Sequence, residues 1–155
     1  MRKIIFILLM LTSICTAMAQ TNDKWSEVPL VEGRWETLMY TTMRCGSYTN
    51  KVLIDTGSTF TILCHEDFLH IREQGLLGKF EGNGSVNCIK GRKPLKMYRV
   101  RSINIGGFTF RNVVIYFNTD PDNTEQRLIG QDLLTRFIQI YIDNEHHKLY
   151  VKLKK

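Results

Sequence analysis

The stretch Lys51-Val52-Leu53-Ile54-Asp55-Thr56-Gly57-Ser58 is the most informative part of this chain. It begins as an apolar run short enough to be a buried strand, and a carboxylate, Asp55, follows directly. Burial disfavours the charged form of a carboxylate unless partners offset this cost. The following turn supplies such partners, because Thr56 and Ser58 offer hydroxyls and N–H groups and Gly57 allows a tight bend. The pattern indicates a carboxylate that takes part in proton chemistry.

The first 19 residues have the pattern of a secretory signal peptide. Basic residues precede an apolar segment at 4–11, and Ala17-Met18-Ala19 fits the small-x-small cleavage pattern. The apolar segment is too short for a membrane span, and the bulky residue before Cys15 argues against a lipoprotein anchor. We therefore expect an exported protein, periplasmic or extracellular, whose mature form begins at Gln20.

Composition predicts a single domain with a substantial core. The chain has 155 residues, of which 43% are hydrophobic, and a formal net charge of +6. We expect an N-terminal extension at 20–36 and one domain at 37–155. The basic clusters at 90–96 and 152–155 are typical of solvated surface, and an exported chain meets little nucleic acid. No second apolar segment follows, so we expect no nucleic-acid partner and no stable membrane insertion after cleavage.

Three cysteines remain after the predicted cleavage: Cys45, Cys64 and Cys88. An oxidising compartment allows one pair to close and leaves one thiol over, and the sequence does not choose the pair. Spacings of 19 and 24 residues match no zinc pattern. The adjacent pair His146-His147 is typical of a solvated turn. We expect no metal and no cofactor.

Short strands dominate the predicted organisation, which favours a small closed barrel or sandwich. One short helix is expected near the middle of the chain and another after residue 130, while Gly82-Asn83-Gly84-Ser85 is a strong turn signal. The predicted strands cover 37–44, 51–54, 59–63, 98–105, 108–117, 138–142 and 149–153, with helices at 65–74 and 132–137 and a hairpin turn at Gly106-Gly107.

Three motifs in this order carry a resemblance to a known family. They are the segment ending in Asp55-Thr56-Gly57-Ser58, the later Ile105-Gly106-Gly107, and Leu128-Ile129-Gly130, about seventy residues after the first. Over roughly 37–153 the chain resembles the single-domain, retropepsin-like aspartic proteases of clan AA, especially bacterial exported members. The resemblance implies an all-β fold, a closed barrel with one or two short helices.

The resemblance also implies a homodimeric aspartic endopeptidase. Asp55 of each chain would share one proton with its mate and activate water, without a covalent intermediate. Thr56 would reach across the dimer, Gly57 would allow close approach, and the side chain or backbone of Ser58 would orient the carboxylate. The segment Leu128-Ile129-Gly130 would pack behind this loop.

A hairpin that closes over a peptide or protein substrate is also implied. The residues Gly82, Asn83, Gly84 and Ser85 are the candidate flap. The stretch from there to Ile105 is longer than expected, so a tip nearer Gly91 remains open.

Other functions remain open beside the protease. The barrel could have lost activity and serve as a peptide-binding module, or form part of an envelope assembly with 149–153 as a docking edge. An unpaired chain would hold one Asp55 carboxylate with no shared proton, and in an inert barrel Asp55 would be a capping or turn residue. The intact Asp-Thr-Gly-Ser motif argues against such decay.

Overall fold

The computed structural model describes residues 24–88, 91–122 and 127–153. The predicted signal peptide at 1–19 lies outside these ranges. The described chain contains β1 (Ser26–Val28), β2 (Leu30–Val31), β3 (Tyr40–Cys45), β4 (Tyr48–Ile54), β5 (Ile62–Leu63), α1 (His65–Glu73), β6 (Leu77–Cys88), β7 (Gly91–Ile105), β8 (Phe108–Phe117), β9 (Leu128–Ile129), α2 (Gln131–Leu134), β10 (Phe137–Asp143) and β11 (Lys148–Leu153). Neither helix in the described ranges has the length and apolar character needed to cross a membrane.

Six strands close into a barrel in the order β3-β4-β9-β5-β8-β7. The ring closes because β7 pairs back with β3, with Met43 opposite Ile105 and Arg44 opposite Asn104. Strand β2 extends the barrel sheet beside β3, and β6 extends it beside β7. The predicted all-β closed barrel with two short helices is therefore confirmed.

Alternation along β8 explains how the barrel is filled. Val113, Ile115 and Phe117 are buried and follow one another at every second position, as the two-residue period of a strand requires. They join Met43 and Leu63 in one apolar cluster. Burial of each such side chain stabilises the fold by roughly 1.5–3 kcal/mol.

A smaller sheet packs beside the barrel in the order β1-β11-β10. Its inner face buries Val28, Leu149 and Val151. The extension predicted at 20–36 thus contributes β1 and β2 to the two sheets where the structure describes it. Strand β11 lies between its two neighbours, so the expectation that 149–153 forms a docking edge is wrong.

The predicted turn at Gly82–Ser85 is also wrong, because these residues lie inside β6. Strands β6 and β7 form a long hairpin whose last described pair is Cys88 with Gly91, and residues 89–90 lie outside the described ranges. Gly82 has φ +140° beside a register shift. The glycine therefore serves a β-bulge rather than a turn.

The remaining expected elements are found with shifted ends. Helix α1 and the hairpin about Gly106-Gly107 are confirmed, as is the final hairpin β10–β11. Helix α2 is shorter than predicted and Phe137 belongs to β10. The strand expected from residue 37 begins at Tyr40, and only Ile62–Leu63 of the extended path at 59–63 is a strand.

A buried ionic cluster joins β4, α1 and the start of β9. Asp67 is 0% exposed, and both its oxygens accept from Arg127 Nε, at 2.8 and 2.9 Å. Asp67 also accepts from the Tyr48 hydroxyl at 2.8 Å and from the Cys64 N–H at 3.0 Å. Arg127 pairs with Glu66 as well. Because Arg127 directly precedes β9, the cluster ties that strand to α1.

Truncation of Asp67 tests this anchor. Asp67→Ala leaves the mostly buried Arg127 guanidinium without its inner partner, so we expect a loss of about 3–5 kcal/mol in the free energy of unfolding. Glu66→Ala is the matched control, because Glu66 is 52% exposed and should cost less than about 1 kcal/mol. Urea unfolding followed by tryptophan fluorescence measures both. Equal losses in the two variants would contradict the assigned role.

Two thiols are held neutral by the core. Cys45 and Cys64 are buried and free of disulfide bonds. Burial, with a smaller contribution from the Asp67 carboxylate, raises the pKa of Cys45 from 9.0 to about 12. Burial likewise raises the pKa of Cys64 from 9.0 to about 11. Nothing is described for the side chain of Cys88.

These shifts predict alkaline destabilisation. The unfolded chain releases the thiol protons near pH 9.0 while the folded chain retains them, so their stabilisation is complete below that pH and is lost as pH rises toward 11–12. Each thiol should lower the free energy of unfolding by up to about 1.4 kcal/mol per pH unit. Under reducing conditions, urea unfolding between about pH 9 and 10 should show a shallower decline in the Cys45→Ala/Cys64→Ala variant. Equal slopes would refute this account.

Candidate active site

Asp55 sits where β4 leaves the sheet, held by the strand next to it. Strand β9 lies parallel to β4, with Ile129 opposite Ile54. It is antiparallel to β5, with Leu128 opposite Ile62. The N–H of Asp55 donates to the carbonyl of Ile129 at 3.0 Å. The loop 55–61 therefore arches over the end of β9, and the carboxylate is carried by backbone contacts.

Within the loop, the half-buried carboxylate is oriented by backbone. Asp55 Oδ1 accepts from the Gly57 N–H at 2.9 Å. The Ser58 N–H donates to the carbonyl of Asp55 at 3.2 Å, which closes the turn. The Ser58 hydroxyl donates to the carbonyl of Phe60 at 2.9 Å. The Gly57 N–H therefore orients Oδ1, and the contact expected from Ser58 to the outer carboxylate oxygen stays a prediction.

Gly130 allows the loop to lie directly on the strand behind it. A Cβ at this position would be 2.4 Å from the carbonyl oxygen of Phe60 and 2.8 Å from its nitrogen. Both atoms belong to the backbone, so no side-chain rotation relieves the clash. The next residue also holds the loop, because the Gln131 N–H donates to the carbonyl of Ser58 at 2.8 Å. Leu128, Ile129 and Gly130 therefore lie behind the loop.

A second support joins the far end of the loop to α2. The Thr61 hydroxyl accepts from the Gly130 N–H at 3.1 Å and donates to Asp132 Oδ1 at 2.6 Å. Asp132 Oδ2 accepts from the Thr61 N–H at 3.0 Å. The helix predicted at 132–137 begins at Asp132. The position of Asp132 in the first turn of α2 signalled the helix, but no local pattern points to a partner 71 residues away.

Thr56 and Gly57, at the tip of the loop, are exposed, and so is Thr59. The Thr56 carbonyl accepts from the Gln131 side chain at 2.8 Å, so this part of the loop is also fixed from α2. The Thr56 side chain lies at the surface of the single chain. The backbone is thus held from behind while the tip faces outward.

A cleft of about 460 Å³ opens above Asp55. The loop forms its floor together with Ile62 and Leu128, and Ser85, Val86 and Asn87 of β6 line the opposite side. Of the predicted flap residues, Ser85 borders this cleft, whereas Gly84 packs near the Tyr116 ring. Asp55 is the one carboxylate among the described residues that line the cleft.

The chemistry available at this site is that of the single carboxylate of Asp55, which lines an open cleft. Asp55 can accept or donate a proton, and its neighbours are hydroxyl and N–H groups. No cluster of three or more His, Cys, Asp or Glu side chains is arranged to hold a metal ion in the ranges that the structure describes. His146 instead contacts Asp143 at 2.9 Å in the exposed turn after β10.

Comparison with known proteins adds two similarities. The family model described as "gag-polyprotein putative aspartyl protease" matches residues 41–136. Among solved structures, a retropepsin-like aspartic protease from Rickettsia conorii is similar in fold, with a TM-score of 0.58 and 22% sequence identity over 81% of this chain and 98% of that one. No curated protein matches the sequence. The matched family segment includes Asp55 and Gly130.

Substitution of Gly130 tests the support beneath the loop. Gly130→Ala forces the Phe60 backbone to move, so we expect a loss of about 2–3 kcal/mol in the free energy of unfolding. Amide exchange should quicken at Asp55 and Ser58. Thr135→Ala, an exposed change in the same region, should cost about 0.5 kcal/mol. Unchanged protection of the Asp55 amide in Gly130→Ala would show that the loop does not depend on this contact.

Proposed function

Because the chain belongs to the gag-polyprotein aspartyl protease family, we propose that it is an aspartic endopeptidase that acts as a homodimer. The observation that carries this proposal is the half-buried Asp55 carboxylate on the floor of a cleft, oriented by the Gly57 N–H and facing β6. Exported protein or peptide is the proposed substrate, and no cofactor is required by the chemistry.

The mechanism needs two carboxylates in different protonation states. Two such groups placed close together cannot both ionise, so they share one proton. The charged member of the pair takes a proton from water, and the protonated member polarises the carbonyl of the peptide bond. Water is then the nucleophile, and proton transfer to the departing amine completes hydrolysis. Gly57 holds Asp55 in the orientation that this exchange requires.

The lining of the cleft supports a second chain as the source of the other carboxylate. Asp55 is its one carboxylate among the described residues, so the second must come from elsewhere. The exposed tip of the loop, Thr56 and Gly57, is the part free to meet a second copy. A two-fold axis at this tip would bring the two Asp55 side chains together. The backbone contacts behind the loop hold it in place, which suits a surface that pairs with the same surface of a second copy.

An extended peptide is the form of substrate that the cleft suits. The wall opposite Asp55 is a strand, and extended peptides bind beside strands through backbone hydrogen bonds with side chains alternating between pockets. The hairpin β6–β7 is proposed as the flap. Export through the signal peptide at 1–19 is proposed on the sequence pattern alone.

Replacement of Asp55 tests the catalytic role. Asp55→Asn removes the ionisable group and should lower peptide hydrolysis about a hundred- to ten-thousandfold, because acid–base catalysis contributes on this scale. The measurement is cleavage of a diverse peptide mixture between acid and neutral pH, read by mass spectrometry. Asp122→Asn is the matched control, because Asp122 is exposed and lies outside the cleft. Equal hydrolysis by wild type and Asp55→Asn would refute the proposal.

An experiment that mixes wild-type and Asp55→Asn chains distinguishes an active dimer from an active monomer. If each active unit needs two Asp55 residues, a threefold excess of Asp55→Asn chain should reduce wild-type activity to about one quarter by random pairing. The same excess of an unrelated protein should have no effect. Undiminished activity, with subunit exchange shown by mass, would rule out a shared pair. A folded wild type that binds peptides and cuts none would instead favour an inactive peptide-binding module.

A further inference from the structure

A second cleft, of about 440 Å³, lies at the side of the hairpin β6–β7. We refer to it as the side cleft. Its walls come from the two strands of the hairpin and from the segment that follows β8. Its lining includes Asn83, Lys93, Leu95, Lys96, Asn118 and Asp120.

The side cleft adjoins the cleft above Asp55. Val86 lines the Asp55 cleft, and its direct cross-strand partner Lys93 lines the side cleft. Side chains of directly opposed residues lie about 5 Å apart at Cβ. Asn83 of the side cleft is two residues from Ser85 of the Asp55 cleft, about 7 Å along the strand. An extended peptide over Asp55 would therefore place a residue two to four positions from the scissile bond beside Lys93.

The lining of the side cleft carries more positive than negative charge. Lys93 is half-buried and shares one face of β7 with Leu95, which is 2% exposed, so this face turns inward. Lys96 is exposed and contributes a second ammonium. Asp120 is the opposing carboxylate, and its Oδ1 accepts from the Asp122 N–H at 3.1 Å. The side cleft is thus lined by two cationic residues and one acidic residue, and Lys93 and Lys96 lie on opposite faces of β7.

An unsatisfied donor belongs to the same wall. Asn118 is 2% exposed, and its Oδ1 accepts from the Asp120 N–H at 3.1 Å. This bond fixes the orientation of the amide, because a backbone N–H can only donate. The Nδ2 group then has no acceptor within the described part of the chain. A buried donor without a partner is costly, and Asn118 belongs to the lining of the side cleft.

We propose that the side cleft is a substrate subsite that takes an acidic side chain, aspartate or glutamate, with Lys93 as the specificity-determining residue. Lys93 would donate a charge-assisted hydrogen bond to the carboxylate, and Lys96 would add to the attraction from the rim. Asn118, whose buried amide lacks an acceptor, belongs to the same lining. This inference rests on the proposed peptidase function and adds a substrate class to it.

Matched peptides test the subsite. Synthetic peptides that share one cleaved sequence carry Glu or Gln in turn at the second, third and fourth positions on each side of the scissile bond. At one position the wild type should prefer Glu over Gln by about tenfold in kcat/KM, the scale of a hydrogen bond to a charged group. Lys93→Met should lose this Glu/Gln ratio. Lys79→Met removes an exposed lysine of β6 outside the side cleft and should keep the ratio.

Reversal of the charge at position 93 gives a second test of the acidic subsite. Lys93→Glu should prefer peptides with Lys over peptides with Glu at the same position. Cleavage of Glu and Gln peptides at equal rates by wild type at every position would overturn the proposal, as would a preference that survives in Lys93→Met. Circular dichroism and thermal unfolding confirm that each variant is folded.

Binding distinguishes failure of the subsite from failure of the peptidase. If wild type cuts none of the peptides, the proposed function fails, and the subsite is judged by dissociation constants. Fluorescence anisotropy of labelled Glu and Gln peptides, measured with Asp55→Asn at low ionic strength, should then show the same roughly tenfold ratio. Equal dissociation constants would reject an acidic subsite whatever the activity.

Discussion

The structure depends on one close backbone contact, that of Gly130 beneath Phe60. Strand β9 is only two residues long, yet it pairs with β4 on one side and β5 on the other. Such a short strand can be inserted only if the chain that arches over its end comes very close. The absence of a side chain at Gly130 allows this, since a Cβ would stand 2.4 Å from the Phe60 carbonyl oxygen. The carboxylate of Asp55 is therefore positioned by backbone packing.

Charged residues hold β9 on both sides of this contact. Arg127, just before the strand, is bound by the buried Asp67 of α1. Asp132, just after Gly130, is bound by the Thr61 N–H and hydroxyl. A displacement of β9 would break charge-assisted hydrogen bonds at one end or the other, which are stronger than neutral ones. The loop can thus remain rigid although its tip, Thr56 and Gly57, is exposed.

Features set by local interactions could be predicted from the sequence, whereas features set by residues far apart in the sequence could not. The hairpin about Gly106-Gly107 and helix α1 were predictable, because turn and capping signals are local. Gly82–Ser85 has the same local turn chemistry, but pairing with β7 along its whole length overrides it. Strands as short as β1 and β2 show no periodicity that could reveal them. The bond from Asp132 to Thr61 spans 71 residues and has no local signature.

In the proposed peptidase, the packing of Gly130 beneath Phe60 also determines where substrate selectivity can reside. The floor of the Asp55 cleft is fixed by backbone packing on β9, so its residues have little freedom to change without loss of the geometry around Asp55. The hairpin β6–β7 and the segment after β8 carry no such restriction, since neither contributes to the support of the loop. The half-buried Lys93 and the unsatisfied amide of Asn118 both lie there. In the proposed peptidase, the floor of the cleft would therefore stay constant, and the charge on these walls would set which substrates are cut.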